Sequence, residues 1–307
     1  MNIQLINFTA KHRFKQSKPT YTHDLKTSHE TLDAAVKRYE EQQQFEKAKN
    51  VVPTIKKASQ SIIDRVPAII KRAKLIQDKA DDLFEKIEAT SAYNTYFNDS
   101  NSRFGKTLSL YPDELKFDDK LFDIIIYPNK KITAIERTNG IASRVDSKVG
   151  LNKGEIIEYS AKDIYEFDIQ TGELTYFARG HKKEGYVTSI EKEYKFNNGR
   201  LDEYNESVAK GQFNLISRAF KFDKDEKLSS FGAMKRQTWN KDCFERLFVF
   251  DKNGMLKTFA RGLEIVADSR ATGECIYKFN SKGNFINFAN DFKGDLFTYQ
   301  GETDICF

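Results

Sequence analysis

The fold is decided by the stretch YKFNNGRLDEY at residues 194–204. Tyr194 and Phe196 fall on the same face of a strand, because the side chains of a strand point alternately to its two faces. The Asn-Asn-Gly that follows favours a tight turn, since these residues tolerate a positive φ. Leu201 and Tyr204 then put apolar side chains on a returning strand. The stretch therefore predicts a β-hairpin.

The same pattern occurs five times, at intervals of 29, 26, 28 and 29 residues. Each unit has an aromatic pair, an Asp or Asn, a turn, an apolar residue and a closing aromatic. The pairs and their closing aromatics are Tyr165/Phe167 with Phe177, Tyr194/Phe196 with Tyr204, Phe220/Phe222 with Phe231, Phe248/Phe250 with Phe259, and Tyr277/Phe279 with Phe288. One unit buries too little apolar surface to offset the conformational entropy of about 1 kcal/mol that each ordered residue loses. Neighbouring units are therefore expected to share one sheet and one core.

The apolar residue after each turn lies three positions before the closing aromatic, as Leu256 does before Phe259. Either a β-bulge realigns the two side chains, or they point to opposite faces of the sheet. A sheet with aromatic residues on both faces needs a cover, which the helical region could supply. We expect the second aromatic of each pair to occupy an equivalent, inward position. These residues are Phe167, Phe196, Phe222, Phe250 and Phe279.

The units resemble the YD repeats of Rhs-type proteins, which run Tyr-x-Tyr-Asp, a short turn and Gly-Arg-Leu. The nearest match is Tyr194-Lys195-Phe196 followed by Asn198-Gly199-Arg200-Leu201, and the resemblance covers residues 165–290. It implies a β-hairpin meander that curls into a sheet or shell and serves as a scaffold, container or adhesive surface. The chain departs from the family in having Phe where Tyr is usual, in its longer units, and in lacking a recognisable protease core or toxic C-terminal domain.

Before the sheet, the sequence has helical periodicity. Thr27 and Glu30 match a capping box, which predicts a first helix over residues 28–49. Pro53 suits the first turn of a second helix, and Pro67 predicts a kink within it. The second helix carries apolar or small residues alternately four and three apart, which is the spacing of a coiled coil or helical hairpin and should face protein rather than water. They are Ile55, Ser59, Ile62, Val66, Ile69, Ala73, Ile76, Ala80, Leu83 and Ile87.

The chain is therefore predicted to be an α+β protein in three parts. Residues 1–26 are a basic tail, residues 27–97 an N-terminal helical hairpin or coiled-coil region, and residues 104–307 a long antiparallel, curved β-meander of hairpin repeats of about 28 residues. Of the 307 residues, 39% are hydrophobic and 13% aromatic, which is enough for a large core. No apolar run approaches the roughly 20 residues of a membrane span. The N-terminus lacks a signal-peptide pattern, so we expect a cytoplasmic protein.

Positive charge is concentrated near the N-terminus. Residues 1–80 contain 16 Lys and Arg against 8 Asp and Glu, whereas the whole chain has a net charge of only +5. Such asymmetry is found in proteins that contact nucleic acid or anionic surfaces, although a solvated helix face explains it as well. The candidate anionic-ligand contacts are Lys56, Lys57, Lys71, Arg72 and Lys74.

No motif in the sequence predicts a reaction, a cofactor or a metal. Residues 100–107 imitate a P-loop but have Ser at its first position and no preceding strand. Asp223-Lys-Asp225-Glu226 and Asp251-Lys-Asn253-Gly254 resemble calcium loops but lack the distant bidentate Glu, so hairpin turns explain them better. The three cysteines and four histidines form no recognisable redox, zinc or hydrolase motif. We name no catalytic residue.

The sequence thus favours a non-enzymatic binding or scaffold protein built on β-hairpin repeats. Its helices would serve self-association, a protein partner, or the covering of one sheet face. The alternative is a nucleic-acid or anionic-surface binder that uses the basic helical region, with nucleic acid the less favoured partner. An enzyme is a third hypothesis, for which the sequence offers no site.

Overall fold

The computed structural model describes residues 24–98, 113–127, 131–138, 159–184, 186–266 and 270–295. The chain divides into two compact units between Asn50 and Val51. The first unit contains the N-terminal part of a long helix. The second contains the remaining helical residues and the whole described sheet.

Three helices precede the sheet: α1 (Asp24–Ile63), α2 (Val66–Glu88) and α3 (Ser91–Asn98). The predicted helical hairpin is wrong, because the chain continues as helix where a turn near residue 50 was expected, and Pro53 lies inside α1. The preceding run of Glu, Gln, Lys and Ala has high helix propensity, which opposes the cost of the proline. The helix instead bends at Asp64 and Arg65, directly before Pro67, which stands in the first turn of α2. Proline is tolerated there because its missing N–H has no helical partner to lose.

The remaining described segments form one thirteen-stranded antiparallel sheet whose strands follow sequence order. This confirms an α+β protein with a large β-meander. The strands are β1 (Asp113–Phe117), β2 (Lys120–Tyr127), β3 (Lys131–Arg137), β4 (Tyr159–Asp168), β5 (Leu174–Glu184), β6 (Val187–Asn197), β7 (Arg200–Lys210), β8 (Asn214–Phe222), β9 (Leu228–Gln237), β10 (Lys241–Phe250), β11 (Leu256–Val266), β12 (Arg270–Phe279) and β13 (Phe285–Asp295).

Each aromatic pair and its closing aromatic belong to one hairpin, and a β-bulge resolves the spacing of three. In the hairpin of β10 and β11, Phe248 pairs with Phe259 while Phe250 pairs with Leu256, with a register shift between the two positions. The same shift occurs in the hairpins that begin with β4, β6 and β12, and in that of β8 and β9. Leu256 and Phe259 therefore point to the same face. Of the two explanations for the spacing, the bulge is correct.

Ten aromatic rings form an unbroken ladder across β4 to β13. Ring centroids lie 4.7–4.9 Å apart within a hairpin and 5.5–6.0 Å apart between hairpins. The rings belong to Tyr165, Phe177, Tyr194, Tyr204, Phe220, Phe231, Phe248, Phe259, Tyr277 and Phe288. Tilted and edge-to-face pairs at these distances are favourable beyond the area they bury. We call the side of the sheet that carries these rings the ladder face.

The second aromatic of every pair is buried, as predicted from its position before the turn. All five of these Phe side chains are at most 6% exposed. Four of their cross-strand partners, Leu174, Leu201, Leu228 and Leu256, are buried as well, and Phe285 opposite Phe279 is half-buried. The prediction of equivalent inward positions is confirmed.

The strands share a second irregularity, three residues after each closing aromatic. Gly180, Ser207, Met234, Gly262 and Asp291 all have φ between 47° and 65° in the middle of a strand. Two residues three positions apart, one before and one after the positive-φ residue, lie on the same face of the sheet. Ala260 and Leu263, on either side of Gly262, both belong to one cluster on the face opposite the ladder. The alternation of side chains therefore slips by one position along a line that crosses the sheet.

We predict that Gly172→Ala destabilises the protein more than Gly199→Ala does. Both glycines have φ near 70°, so both substitutions carry the backbone cost of about 1–2 kcal/mol. A Cβ on Gly172 would lie 2.8 Å from Phe84 Cε1 of α2, whereas a Cβ on Gly199 has no neighbour within 4 Å. Chemical denaturation should show an additional loss of about 1 kcal/mol for Gly172→Ala. Equal losses would mean that this turn does not support α2.

Candidate functional site

Helix α2 packs on the ladder face and is anchored at both ends. Near its start, Arg65 Nη2 bonds to Glu206 Oε1 at 2.5 Å and its guanidinium lies 5.2 Å from the ring centroid of Phe220. Near its end, the ring of Phe84 lies 5.2 Å from that of Phe167. Between them, Gln77 Nε2 donates a hydrogen bond of 2.6 Å to the carbonyl oxygen of Gly199.

The apolar stripe predicted for this helix is buried. Ile62, Ile69, Ala73, Ile76 and Leu83 are all less than 9% exposed. Val66 is half-buried. The stripe thus faces protein rather than water, as predicted, and α2 lies against the sheet.

The anchor at Glu206 is a small polar network inside this apolar contact. Besides Arg65, Arg218 Nη1 lies 2.9 Å from Glu206 Oε2, and the hydroxyl of Tyr204 donates to Oε1 at 2.8 Å. Burial raises the pKa of Glu206, but the hydrogen bonds from Arg65, Tyr204 and Arg218 outweigh it and hold the pKa below its ordinary value. The carboxylate is therefore ionised at neutral pH and fixes the start of α2.

The face opposite the ladder carries a buried polar cluster centred on Glu193. This side chain is 1% exposed. Its Oε2 accepts a hydrogen bond of 2.8 Å from Asn205 Nδ2, and its Oε1 accepts one of 3.1 Å from the hydroxyl of Tyr176. Lys210 Nζ forms an ion pair with Oε1 and lies 5.4 Å from the ring centroid of Tyr176. Burial raises the pKa of Glu193, but Lys210 and Asn205 bring it below its ordinary value.

Glu193 and Asn205 are unusual for their positions in the hairpins. The residue before the first aromatic is Glu193 in one unit, and Ile164, Ala219, Leu247 and Ile276 in the others. The residue after the closing aromatic is Asn205 in the same unit, and Ala178, Gly232, Ala260 and Ala289 in the others. Glu193 and Asn205 are cross-strand partners. Neither residue belongs to a motif considered above, although comparing the repeat units position by position distinguishes both from their counterparts.

His181 lies beside this cluster and is buried. Burial, followed by the positive charges of Lys210 and Lys183, lowers its pKa from 6.5 to about 4, against the opposing effect of Glu193. The imidazole is therefore neutral at physiological pH.

A row of charged side chains continues on the same face beside the cluster. Lys195 Nζ lies 2.6 Å from Glu203 Oε2, and Lys221 Nζ lies 3.4 Å from Glu203 Oε1. Lys278 occupies the equivalent position in the last hairpin, where burial, with a contribution from Lys257, lowers its pKa to about 8. The face opposite the ladder thus carries a polar region around Glu193 and two buried apolar clusters, one of which includes Ile190 and Val208 of the same two strands.

The five basic residues predicted to contact an anionic ligand are all exposed. Lys56 and Lys57 lie on α1, and Lys71, Arg72 and Lys74 on α2. Arg72 lies close enough to Tyr165 and Tyr194 to oppose the rise of their hydroxyl pKa values on burial. Within the described chain, none of the five forms an ion pair. Their role as ligand contacts stays a prediction.

The weak motifs of the sequence have structural explanations where the structure describes them. The carboxylate of Asp223 accepts backbone N–H bonds of 2.9 Å from Asp225 and Lys227, so this calcium-like loop is a hairpin turn. Asp251 caps its own turn in the same way. Cys243 and Cys275 are free, half-buried thiols whose pKa values are raised by burial. The P-loop-like residues 100–107 and Cys306 lie outside the described residues.

The described residues contain no group of three or more His, Cys, Asp and Glu side chains that could hold a metal ion. Among the described helices, none combines the length and the apolar character that crossing a membrane requires.

No family model and no curated protein matches the chain. Among solved structures, it is similar to the crystal structure of TarM, at 17% identity over 36% of this chain and 20% of that chain, with a TM-score of 0.22. It is also similar to S. aureus TarM in a mutant complex with fondaparinux, alpha-GlcNAc-glycerol and UDP, at 14% identity over 36% and 21% of the two chains, with a TM-score of 0.22. The chain thus spans about a fifth of the length of those proteins. At such TM-scores the likeness supports no conclusion about function.

We predict that His181 makes the protein less stable in mild acid. In the unfolded chain the imidazole takes up a proton near pH 6.5, but in the folded protein only near pH 4. Acidification between these values therefore favours the unfolded state, by about 1–3 kcal/mol for a shift of this size at a partly solvated site. Urea denaturation across this range should show a shallower pH dependence for His181→Gln than for the wild type. Identical slopes would contradict the lowered pKa.

Proposed function

We propose that the protein is a non-enzymatic binding scaffold whose partner contacts the face opposite the ladder through the partly exposed lysines beside the buried Glu193 cluster, Lys195, Lys210 and Lys221. The observation that carries the proposal is the Glu193–Asn205 pair, which stands in one hairpin where the other hairpins have apolar or small residues. A buried ionic group is often less stabilising than a well-packed apolar one. An ionic group at a hairpin position that is otherwise apolar is understandable if the Glu193 cluster serves recognition of a partner rather than stability.

The helix on the ladder face supports the same proposal. Because α2 lies over Phe167 and Phe220 on the ladder face, we place the partner on the opposite face, where Lys195 and Lys210 are partly exposed. The resemblance to YD-repeat proteins favours a scaffold as well, and we include the curved hairpin-repeat architecture and a cytoplasmic location in the proposal.

The test replaces the polar pair with the apolar pair of another hairpin. Glu193→Leu with Asn205→Ala reproduces Leu247 and Ala260, which are buried cross-strand partners. We expect this double variant to keep or increase its free energy of unfolding, as replacements of buried ion pairs often do. We also expect the immobilised double variant to capture less of the proteins that the immobilised wild-type chain binds from an extract of the source cells. Quantitative mass spectrometry of the captured proteins measures the difference.

The matched control is Lys71→Glu with Lys74→Glu on the exposed side of α2, which should leave capture unchanged. Full capture by the Glu193→Leu/Asn205→Ala variant would contradict binding at this cluster. Loss of capture by the control instead would favour the second candidate function, an anionic-ligand binder that uses Lys56, Lys57, Lys71, Arg72 and Lys74. What favours this candidate is that all five are exposed without an ion pair in the described chain.

Self-association through the N-terminal part of α1 is the second component of the proposal. Leu32, Val36 and Tyr39 are 59%, 49% and 64% exposed, on a helix that is otherwise polar over this stretch. Their spacing of four and three places them on one side of the helix. Large apolar side chains in such a row favour a partner helix, and a second copy of the chain offers the same row.

We predict that replacing Leu32, Val36 and Tyr39 with Glu makes an associating chain monomeric. Sedimentation velocity should show the shift in mass, while the circular dichroism spectrum keeps its helical signal. Ile286→Glu, at an apolar residue equally exposed on the edge strand β13, serves as control and should leave the mass unchanged. A wild-type chain that stays monomeric at its highest soluble concentration would rule out this component.

A further inference from the structure

Three consecutive connections project from one end of the sheet. In an up-and-down meander, the β5–β6, β7–β8 and β9–β10 connections lie at the end away from the Asp- and Asn-capped turns. Neighbouring connections are two strands apart, which is about 10 Å at the usual strand spacing. Tyr186, Phe213 and Trp239 occupy the three connections, at intervals of 27 and 26 residues.

The tips of these connections are apolar and exposed. Trp239 is 94% exposed and Tyr186 is 84% exposed, the two highest values among the large apolar residues of the structure's described part. Val187 and Leu215 beside them are also exposed. Phe213 is half-buried, and the guanidinium of Arg236 lies 4.2 Å from its ring centroid. Large apolar groups gathered at one end of a protein mark an interaction surface.

Basic residues lie directly behind the apolar tips. The segments 182–188, 208–216 and 234–244 contain six Lys and Arg residues against two Asp and Glu residues. Three of the lysines have acidic neighbours on the sheet: Lys210 pairs with Glu193, Lys235 with Asp242 at 2.9 Å, and Lys241 with Glu264 at 2.5 Å. With these pairs neutralised, Lys182, Lys183 and Arg236 against Glu184 leave the three segments net positive.

Exposed aromatic, aliphatic and basic side chains together help to distinguish a nucleic-acid ligand from a membrane surface. Aromatic residues among basic ones also bind single-stranded nucleic acid, but that mode uses flat rings on which bases stack. Here the aliphatic Val187 and Leu215 share the tips with the rings. Tyr and Trp at a boundary between apolar and wet surroundings, with lysines whose stems extend along apolar surface, are typical of the membrane interface. Anionic headgroups complement the net positive charge.

We propose that the tips bearing Tyr186, Phe213 and Trp239 dock this end of the sheet onto the surface of a bilayer that contains anionic lipids. The rings and aliphatic side chains enter the headgroup region, while Lys183 and Arg236 meet the lipid phosphates. This binding is peripheral and uses the side chains of the tips with Lys183 and Arg236, none of which belongs to the Glu193 cluster or to the helices. It is independent of the proposed scaffold function.

The single tryptophan of the chain makes the proposal directly testable. We expect the full chain to co-sediment with vesicles of phosphatidylcholine and phosphatidylglycerol but not with vesicles of phosphatidylcholine alone. With the anionic vesicles, the emission of Trp239 should shift to the blue and be quenched by brominated acyl chains. Lys183→Gln and Arg236→Gln should each weaken vesicle binding roughly fivefold, the effect of one basic residue near an anionic surface. Trp239→Ser with Tyr186→Ser should abolish co-sedimentation.

Several outcomes would overturn the proposal. One is the absence of co-sedimentation with the anionic vesicles at low salt. Another is binding that is unchanged in the Trp239→Ser/Tyr186→Ser variant but lost with Lys71→Glu/Lys74→Glu, which would assign it to α2. A third is quenching of Trp239 by oligothymidylate together with no response to vesicles, which would identify a nucleic-acid site. The substituted side chains of the Ser variant are at least four-fifths exposed, so its thermal unfolding should match the wild type and exclude misfolding as the cause.

Discussion

The contact on which the structure depends is the one between neighbouring aromatic rings of the ladder. Each of the last ten strands contributes one ring, and each ring contacts the rings on either side. A single hairpin of this chain could not retain its order, because its own apolar residues do not offset the entropy of its backbone. The ladder joins the five hairpins into one core, so that the stability of any strand depends on its neighbours. The Glu193 cluster on the opposite face and the connections between the strands are held in place by this shared core.

Helix α2 shows how a short polar contact positions a large apolar one. The stripe from Ile69 to Ile87 would bury comparable surface at several positions along the sheet, because the ladder it meets is nearly uniform. Glu206 breaks this uniformity, since it accepts bonds from Arg65, Arg218 and Tyr204 at one place only. The ionic anchor thus selects one position for the helix, and burial of the stripe supplies most of the stabilisation.

The sequence predicted those parts of the fold that repeat, and missed those that depend on a single residue. The hairpins, the inward Phe residues and the buried stripe followed from spacing alone. The prediction of a helical hairpin was wrong because Pro53 was interpreted as the start of a helix, although the residues before it have strong helix propensity. The Glu193 cluster was missed because acidic residues are common in this chain, and only its position in the hairpin makes this one unusual. Trp239 stands between two units and was interpreted from the sequence as a partly buried strand residue, but it lies in a connection and is 94% exposed.

The line of positive-φ residues from Gly180 to Asp291 has a consequence for how this chain tolerates changes of length. Each hairpin contains its own bulge and its own slip in side-chain alternation, and pairing with the next hairpin keeps one register across the slip, as between Phe177↔Tyr194 and Lys182↔Ser189. Hairpins of this kind behave as interchangeable modules: gain or loss of a whole unit conserves the inward and outward faces of all the others. Gain or loss of one residue inside a strand would instead put the side chains beyond it out of phase with both neighbours.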